Sequence, residues 1–228
     1  MLKRNKNYIL LTALLTSAPM LAGLLLWNQL PDTIATHFDL NGVPNGWSSK
    51  PFTVFGLPLF LVALHLLCAF VTLADPRKKN IQEKLYRMVL WICPLCALIV
   101  CGSVYPYALG MAVDVSLVGG LFVGVLFLVV GNYLPKCRQN YTMGIKLPWT
   151  LSDEENWNHT HRFAGWLWMA GGGLLLLLTL LDRMSQWLLL GIIAAMVALP
   201  TVYSILYYLR HKTSCADSTP RKQEKPRA

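Results

Sequence analysis

The chain has 228 residues, of which 55% are hydrophobic and 14% charged, and it carries a formal net charge of +9 at pH 7. An ordinary soluble domain has about 25% charged residues, so this balance excludes a disordered, collagen-like or disulfide-scaffold chain and argues against a soluble enzyme. A basic charge on so apolar a chain points to nucleic acid, an acidic partner or membrane topology, and the placement of the charges decides among them.

Six stretches contain no Asp, Glu, Lys or Arg: 8–31, 51–74, 88–113, 115–135, 163–181 and 184–209. A helix needs about 20 apolar residues to cross a hydrocarbon core of about 30 Å, and all six are near or above that length. No amphipathic surface helix of comparable length is left over to enclose a soluble core. The first stretch follows Lys3, Arg4 and Lys6 as a signal peptide would. It runs too long for one and lacks a small-x-small cleavage site, so it reads as a retained span. The fifth stretch is the shortest and is diluted by Gly171, Gly172 and Gly173, and it spans if its helix begins in the preceding loop.

With the N-terminus inside, segments 1–7, 75–87, 136–162 and 210–228 hold 3, 5, 4 and 6 Lys or Arg, 18 of the 20, and the outside loops keep Lys50 and Arg183. Basic residues accumulate in cytoplasmic loops. The fold class expected is an all-α membrane protein of six transmembrane helices, N-in and C-in, and the charge is a topology signal with no direct nucleic-acid contact. Four segments are expected: a two-span domain at 1–74, a basic loop and third span at 75–116, a further domain at 117–209, and a basic disordered tail at 210–228.

Within the spans, Pro19, Pro58, Pro94, Pro106 and Pro200 are expected to kink their helices. His65 is the ionisable group well inside a span, expected to bond a neighbouring helix in preference to relaying protons. Cys93 and Cys96 have C-x-x-C spacing but sit in a span, so they are expected to pack as small apolar residues.

The first loop, 31–50, is expected outside. Residues 33–40 are rich in β-branched and aromatic types, and Asn41-Gly42 and Asn45-Gly46 are turn signals, so a small extracellular β-hairpin is expected. His37 and Asp39 are too few for a metal site, and a local turn bonded by Asp39 is expected instead. Trp47 is expected at the outer interface. His37, Asn41, Gly42, Gly46 and Trp47 are candidate ligand contacts.

The long inside loop holds two glycosylation-like triplets, at Asn140 and Asn158, which a cytoplasmic loop would not use. Ser152 with Glu155 has the form of a capping box, so a helix is expected to begin there and to run on into span five. Trp157 and His161, four apart, share a face, and Trp149 and Trp157 are expected to anchor at the interface. His159-Thr160-His161 lacks the spacing of a helical zinc pair, and the chain has neither a Gly-rich phosphate loop nor a G-x-S-x-G. No catalytic residue, metal or cofactor is implied.

Gly131-Asn132-Tyr133-Leu134-Pro135, then Asn140, Tyr141, Thr142, Met143, Gly144, Pro148, Trp149, Thr150, then Trp157, Thr160, His161, Arg162 and Gly165 resemble the SdpI family of bacterial membrane proteins. The first loop, with Pro31, Asp32, His37, Phe38, Asn41, Gly42, Gly46 and Trp47, resembles a domain of unknown function that often precedes it. Lys146 stands where the family often has Arg, and His159 adds a second histidine. The resemblance implies immunity to a secreted, membrane-active peptide toxin met at the outer face. Through its best-known members it also implies signalling, in which the membrane protein holds a transcriptional repressor away from DNA; loop 136–162 and the basic tail are expected to face that cytoplasmic partner. A small facilitator or permease, and a membrane sensor with no toxin, are the alternative functions.

Overall fold

In the computed structural model, which describes residues 2–217 and side chains over 4–211, the elements follow the hydropathy pattern. Helix α1 (Leu2–Leu25) leads to an antiparallel hairpin of β1 (Thr33–Phe38) and β2 (Pro44–Ser49), then α2 (Leu57–Ala74), α3 (Glu83–Ala108) and α4 (Val115–Tyr133). A folded loop holding the short α5 (Pro148–Ser152) precedes α6 (Glu154–Leu180) and α7 (Gln186–Asp217). The described residues contain six helices long and apolar enough to cross a membrane, with the hairpin between the first two.

Helix boundaries differ from the charge-free stretches in instructive places. α1 stops at Leu25, and Leu26–Leu30 form turns that carry the chain into the hairpin. α3 begins at Glu83, before the apolar run, because charged side chains at a helix end reach the polar boundary. α6 starts within the loop and reaches 27 residues, which makes the glycine-diluted stretch a full span. Its cap is Asp153, whose carboxylate accepts the amides of Glu155 (2.9 Å) and Asn156 (3.2 Å); Ser152 instead closes α5, its hydroxyl donating to Trp149 O. The capping residue is therefore one position later than the Ser152–Glu155 box suggests, because Asp153 occupies the extended Ncap conformation (φ −129°, ψ 112°). α7 runs on to Asp217, into the segment that the sequence gives to a disordered tail; the rest of that tail, 218–228, lies outside the described residues.

Two sets of helices pack most closely. α1 lies against α2 and α3, and α6 lies against α4 and α7, with a thinner contact between α3 and α4. The α4–α6 contact is a backbone-to-backbone approach. A Cβ on Gly124 would sit 3.2 Å from Gly172 O, and one on Gly131 would sit 2.7 Å from Met169 N. Without a hydrophobic drive between helices in lipid, close approach through small residues supplies the packing energy. His65 Nε2 lies 3.0 Å from Thr12 Oγ1, which ties α2 to α1 as a hydrogen-bonded pair. Leu10, Leu14, Leu21, Phe60 and Phe70 face outward, as lipid-facing side chains do.

At one end the hairpin sits on a core of Leu30, Ile34, Val54, Cys101, Val104 and Tyr105. Phe38 meets Tyr107 edge-on, with ring centroids 4.9 Å apart. The opposite end gathers the N-terminus of α1, the α2–α3 connection, loop 134–153 and the end of α7.

Candidate functional site

Loop 134–153 is folded, held by two short helical turns and by side-chain hydrogen bonds to its own backbone. Leu134–Lys136 form a 3-10 turn, and Pro135 lies so close to α6 that a Cβ on Gly165 would overlap its ring. Exposed Asn132 accepts the Lys136 ammonium at 3.0 Å. Beyond the turn, the fully buried Asn140 side chain organises the backbone. Its oxygen accepts Thr142 N (2.9 Å) and Met143 N (2.7 Å), and its nitrogen donates to Arg138 O (2.8 Å). This is an Asx turn with every polar atom used.

Gly144 follows with φ +104°, a conformation that L side chains rarely adopt. A Cβ there would also press on the Trp157 ring at 3.0 Å. This glycine lets the loop fold flat onto Trp157 and His161, whose rings stack with centroids 4.0 Å apart. Trp157 is fully buried and its indole donates to Cys137 O (2.7 Å), so it is a core residue and not the interface anchor expected from its type. His161 donates through Nδ1 to Trp157 O (2.7 Å) and accepts Ile145 N at Nε2 (2.9 Å), which fixes its neutral tautomer.

The next turn is α5, opened by Pro148, whose fixed φ suits a first helical position. Thr150 is fully buried; its hydroxyl accepts Leu147 N (2.9 Å) and donates to Ile145 O (2.9 Å). Trp149 donates to Ser204 Oγ on α7 (2.8 Å), and Ser204 donates to Asn156 Oδ1 (2.8 Å). Thr160 Oγ1 donates to the same Asn156 oxygen (2.9 Å), and Asn156 Nδ2 returns to Ser204 O (3.0 Å). Every member of this buried set is paired, so it locks α5, α6 and α7 in one arrangement.

Four further residues complete the platform, and the sequence reading singled out none of them for this. Asp75, just beyond α2, accepts Arg77 N (2.7 Å) and Tyr141 N (2.9 Å), and the Thr142 hydroxyl at 2.5 Å. Arg77 donates to Gln139 Oε1 and lies over the Tyr141 ring, 4.9 Å from its centroid. Gln139 Nε2 donates to Thr150 O (2.7 Å), and Asn80 Nδ2 donates to Gln139 O (2.7 Å). A charged pair directly after an apolar run was the available signal. Cys137 is 4% exposed, and burial pushes its thiol up to about 11. Among the described residues no three His, Cys, Asp or Glu side chains stand together to hold a metal ion.

At the hairpin end, Asp39 Oδ1 accepts the amides of Asn41 and Val43, both at 2.9 Å, and Gly42 takes φ +77°. The turn is the local hydrogen-bonded one expected. His37 donates to Asn45 Oδ1 and pairs in register with Gly46, where a Cβ would meet His37 Cβ at 2.9 Å. Trp47 is exposed. Ser116 donates to Asp39 O (3.1 Å), which links the turn to α4. Beneath the hairpin, a groove of about 380 Å³ is lined by Thr36, Phe38, Gly119, Leu175, Leu189 and their neighbours on β1, α4, α6 and α7. Of the hairpin candidates, the groove takes His37 alone; Asn41, Gly42, Gly46 and Trp47 stand away from it.

Six apolar helices with a folded cap at one end and a hydrogen-bonded platform at the other define a multi-pass protein of the bacterial cell membrane. Residues 136–204, from the platform loop into α7, match the SdpI/YfhL protein family, and residues 14–62 match a domain of unknown function (DUF1648). The chain is 27% identical over 209 residues to the immunity protein SdpI of Bacillus subtilis (strain 168), an alignment covering 89% of this chain and 96% of that one. The chain is thus similar to the SdpI family, through its segment 136–204 and through this alignment. No solved structure matches it.

Proposed function

We propose that this chain is a membrane immunity protein that intercepts a membrane-active peptide toxin at its hairpin end and signals through its platform end. The groove beneath the hairpin carries the reading, because it joins the hairpin to α4, α6 and α7 in one apolar recess beside polar Thr36 and His37. An amphipathic peptide buries apolar side chains in such a groove and leaves its charged face to solvent. With the hairpin outside, the outer loops hold Asp32, Asp39, Asp114 and Asp182 against Lys50 and Arg183, a net −2 that draws a cationic peptide.

The platform then faces the cytoplasm, and the sequence segments assigned to that side, 1–7, 75–87, 136–162 and 210–228, carry 18 of the 20 Lys and Arg. Its rigid backbone and basic rim offer a surface to a repressor protein, which is kept from DNA by that contact and not by any binding of DNA to this chain.

The test is deletion of the gene and challenge with peptides secreted by the same and neighbouring strains. Wild type is expected to restore survival. Gly119→Phe, which fills the groove where a Cβ meets nothing within 4 Å, is expected to fail while keeping its melting temperature. Unchanged sensitivity of the deletion strain to every peptide sinks the toxin reading. Solute flux through liposomes holding the wild-type protein would favour a facilitator.

A further inference from the structure

The thin contact between α3 and α4 leaves a second groove, about 450 Å³, along their outer faces. Its walls are almost entirely apolar, among them Ile92, Leu95, Phe122, Val125 and Val129. At the platform end, Met88 also lines an adjoining recess of about 460 Å³ with Tyr8, Glu83, Lys84, Arg87 and Tyr133. The apolar groove therefore opens directly onto a polar one.

The charges in that recess are unbalanced. Glu83 is neutralised by Arg87 (2.6 Å) and by Arg4. Lys84 in the recess and Lys136 outside its lining both converge on the Tyr133 ring, their ammonium groups 5.9 and 5.0 Å from its centroid. Neither has a carboxylate partner among the described residues. The first turn of α3, with its unpaired amides, adds a positive potential beside them. Lys136 also donates to Asn132 Oδ1 (3.0 Å). Two like charges thus meet at one ring with no carboxylate between them, a place suited to an anion beside a groove suited to a hydrocarbon chain. Tyr8, its hydroxyl bonded by the Trp91 indole, stands at the junction with an aromatic pair suited to the polar boundary.

We propose that the α3–α4 groove holds an anionic phospholipid, its phosphate between Lys84 and Lys136 and one acyl chain along Ile92, Leu95, Phe122 and Val125. The adjoining hydrocarbon-shaped groove favours a lipid over a free phosphate, and basic recesses between spans take such headgroups. The lipid would fill the seam that α3 and α4 leave open, so the leaflet's composition would set how firmly they are joined.

The full-length protein in detergent micelles is titrated with phosphatidylglycerol or phosphatidylcholine and read by native mass spectrometry. Wild type is expected to retain one phosphatidylglycerol preferentially. Lys84→Gln with Lys136→Gln is expected to lower that retention about fivefold for each ammonium removed, with phosphatidylcholine unaffected. Val125→Trp, which fills the groove and spares both lysines, is expected to abolish it. Both variants alter exposed positions, and unchanged melting without lipid confirms that they fold. Equal retention by either variant, displacement of the lipid by soluble glycerophosphoglycerol, or a second copy of the chain covering the groove would overturn the proposal.

Discussion

His161 on α6 accepts the amide of Ile145, sixteen residues earlier, at 2.9 Å, and the bond closes the platform loop over Gly144. The imidazole manages this only with its proton on Nδ1, held by Trp157 O. Replacing the ring by a methyl group leaves the Ile145 amide without its partner and opens a void against Trp157. His161→Ala is expected to cost about 1–3 kcal/mol from the orphaned amide alone. A melting curve in detergent checks it, and a variant as stable as wild type would show that the bond contributes nothing.

Gly144 tests the same closure from the loop side. Alanine there meets two obstacles, the positive φ of +104° and contact with the Trp157 ring. Gly144→Ala is expected to melt lower than Gly110→Ala, which also takes a positive φ (+79°) but whose Cβ meets nothing within 4 Å. The difference between the two combines the ring contact at Gly144 with the extra strain of its larger φ. Equal losses would show that the Trp157 and His161 contact is relieved at no cost.

Asp75 holds the loop from the opposite side, and its removal should loosen the backbone without unfolding the bundle. Asp75→Asn keeps the volume but places an amide donor where Tyr141 N and the Thr142 hydroxyl now donate. A buried donor left facing a donor costs about 1–3 kcal/mol. Arg138 and Lys146 flank the affected segment and are both exposed, so trypsin reports its opening. Wild type is expected to resist cleavage there and the variant to be cut several-fold faster, with the far-UV spectrum unchanged. Equal cleavage rates would count against a locking role for Asp75.

The six spans and the hairpin were legible because each follows from local pattern: apolar length for the helices, and Asn41-Gly42 between two short runs for the turn. The start of α6 was legible to within one residue, since Ser152 and Asp153 are both competent caps and the choice rests on backbone conformation. The platform was legible as a set of residues but not as a geometry. Trp157 is a residue type favoured at interfaces, yet it is buried because Cys137 O and the His161 ring complete its surroundings. Asp75 reaches Tyr141 across 66 positions, and no periodicity encodes a pairing that distant. The same holds for Asn156 and Ser204, 48 apart on different helices.

Cys137 gives a chemical readout of whether the platform stays closed. Its sulfur is enclosed by the loop, 3.6 Å from Met143 O and 3.4 Å from Asn140 Nδ2. Burial lifts the thiol from its ordinary 9.0 to about 11, and the Asn140 contact offsets only part of that rise. Maleimides react with the thiolate, which at pH 8 is then about one part in a thousand of the thiol, against about one part in ten at the ordinary value. In a variant whose other cysteines are replaced by alanine, labelling at pH 8 is expected to run about a hundredfold slower than for an exposed thiol. Because the folded value is the raised one, the neutral thiol stabilises the closed loop fully below pH 9. That contribution falls away as the pH climbs through 9 towards about 11. Labelling should therefore accelerate more steeply above pH 9 than thiolate formation alone predicts, as the loop loosens while the thiol ionises. Adding Asp75→Asn should bring fast labelling back to pH 8. If Cys137 reacts at pH 8 as fast as an exposed thiol in the otherwise intact protein, the loop is open in solution.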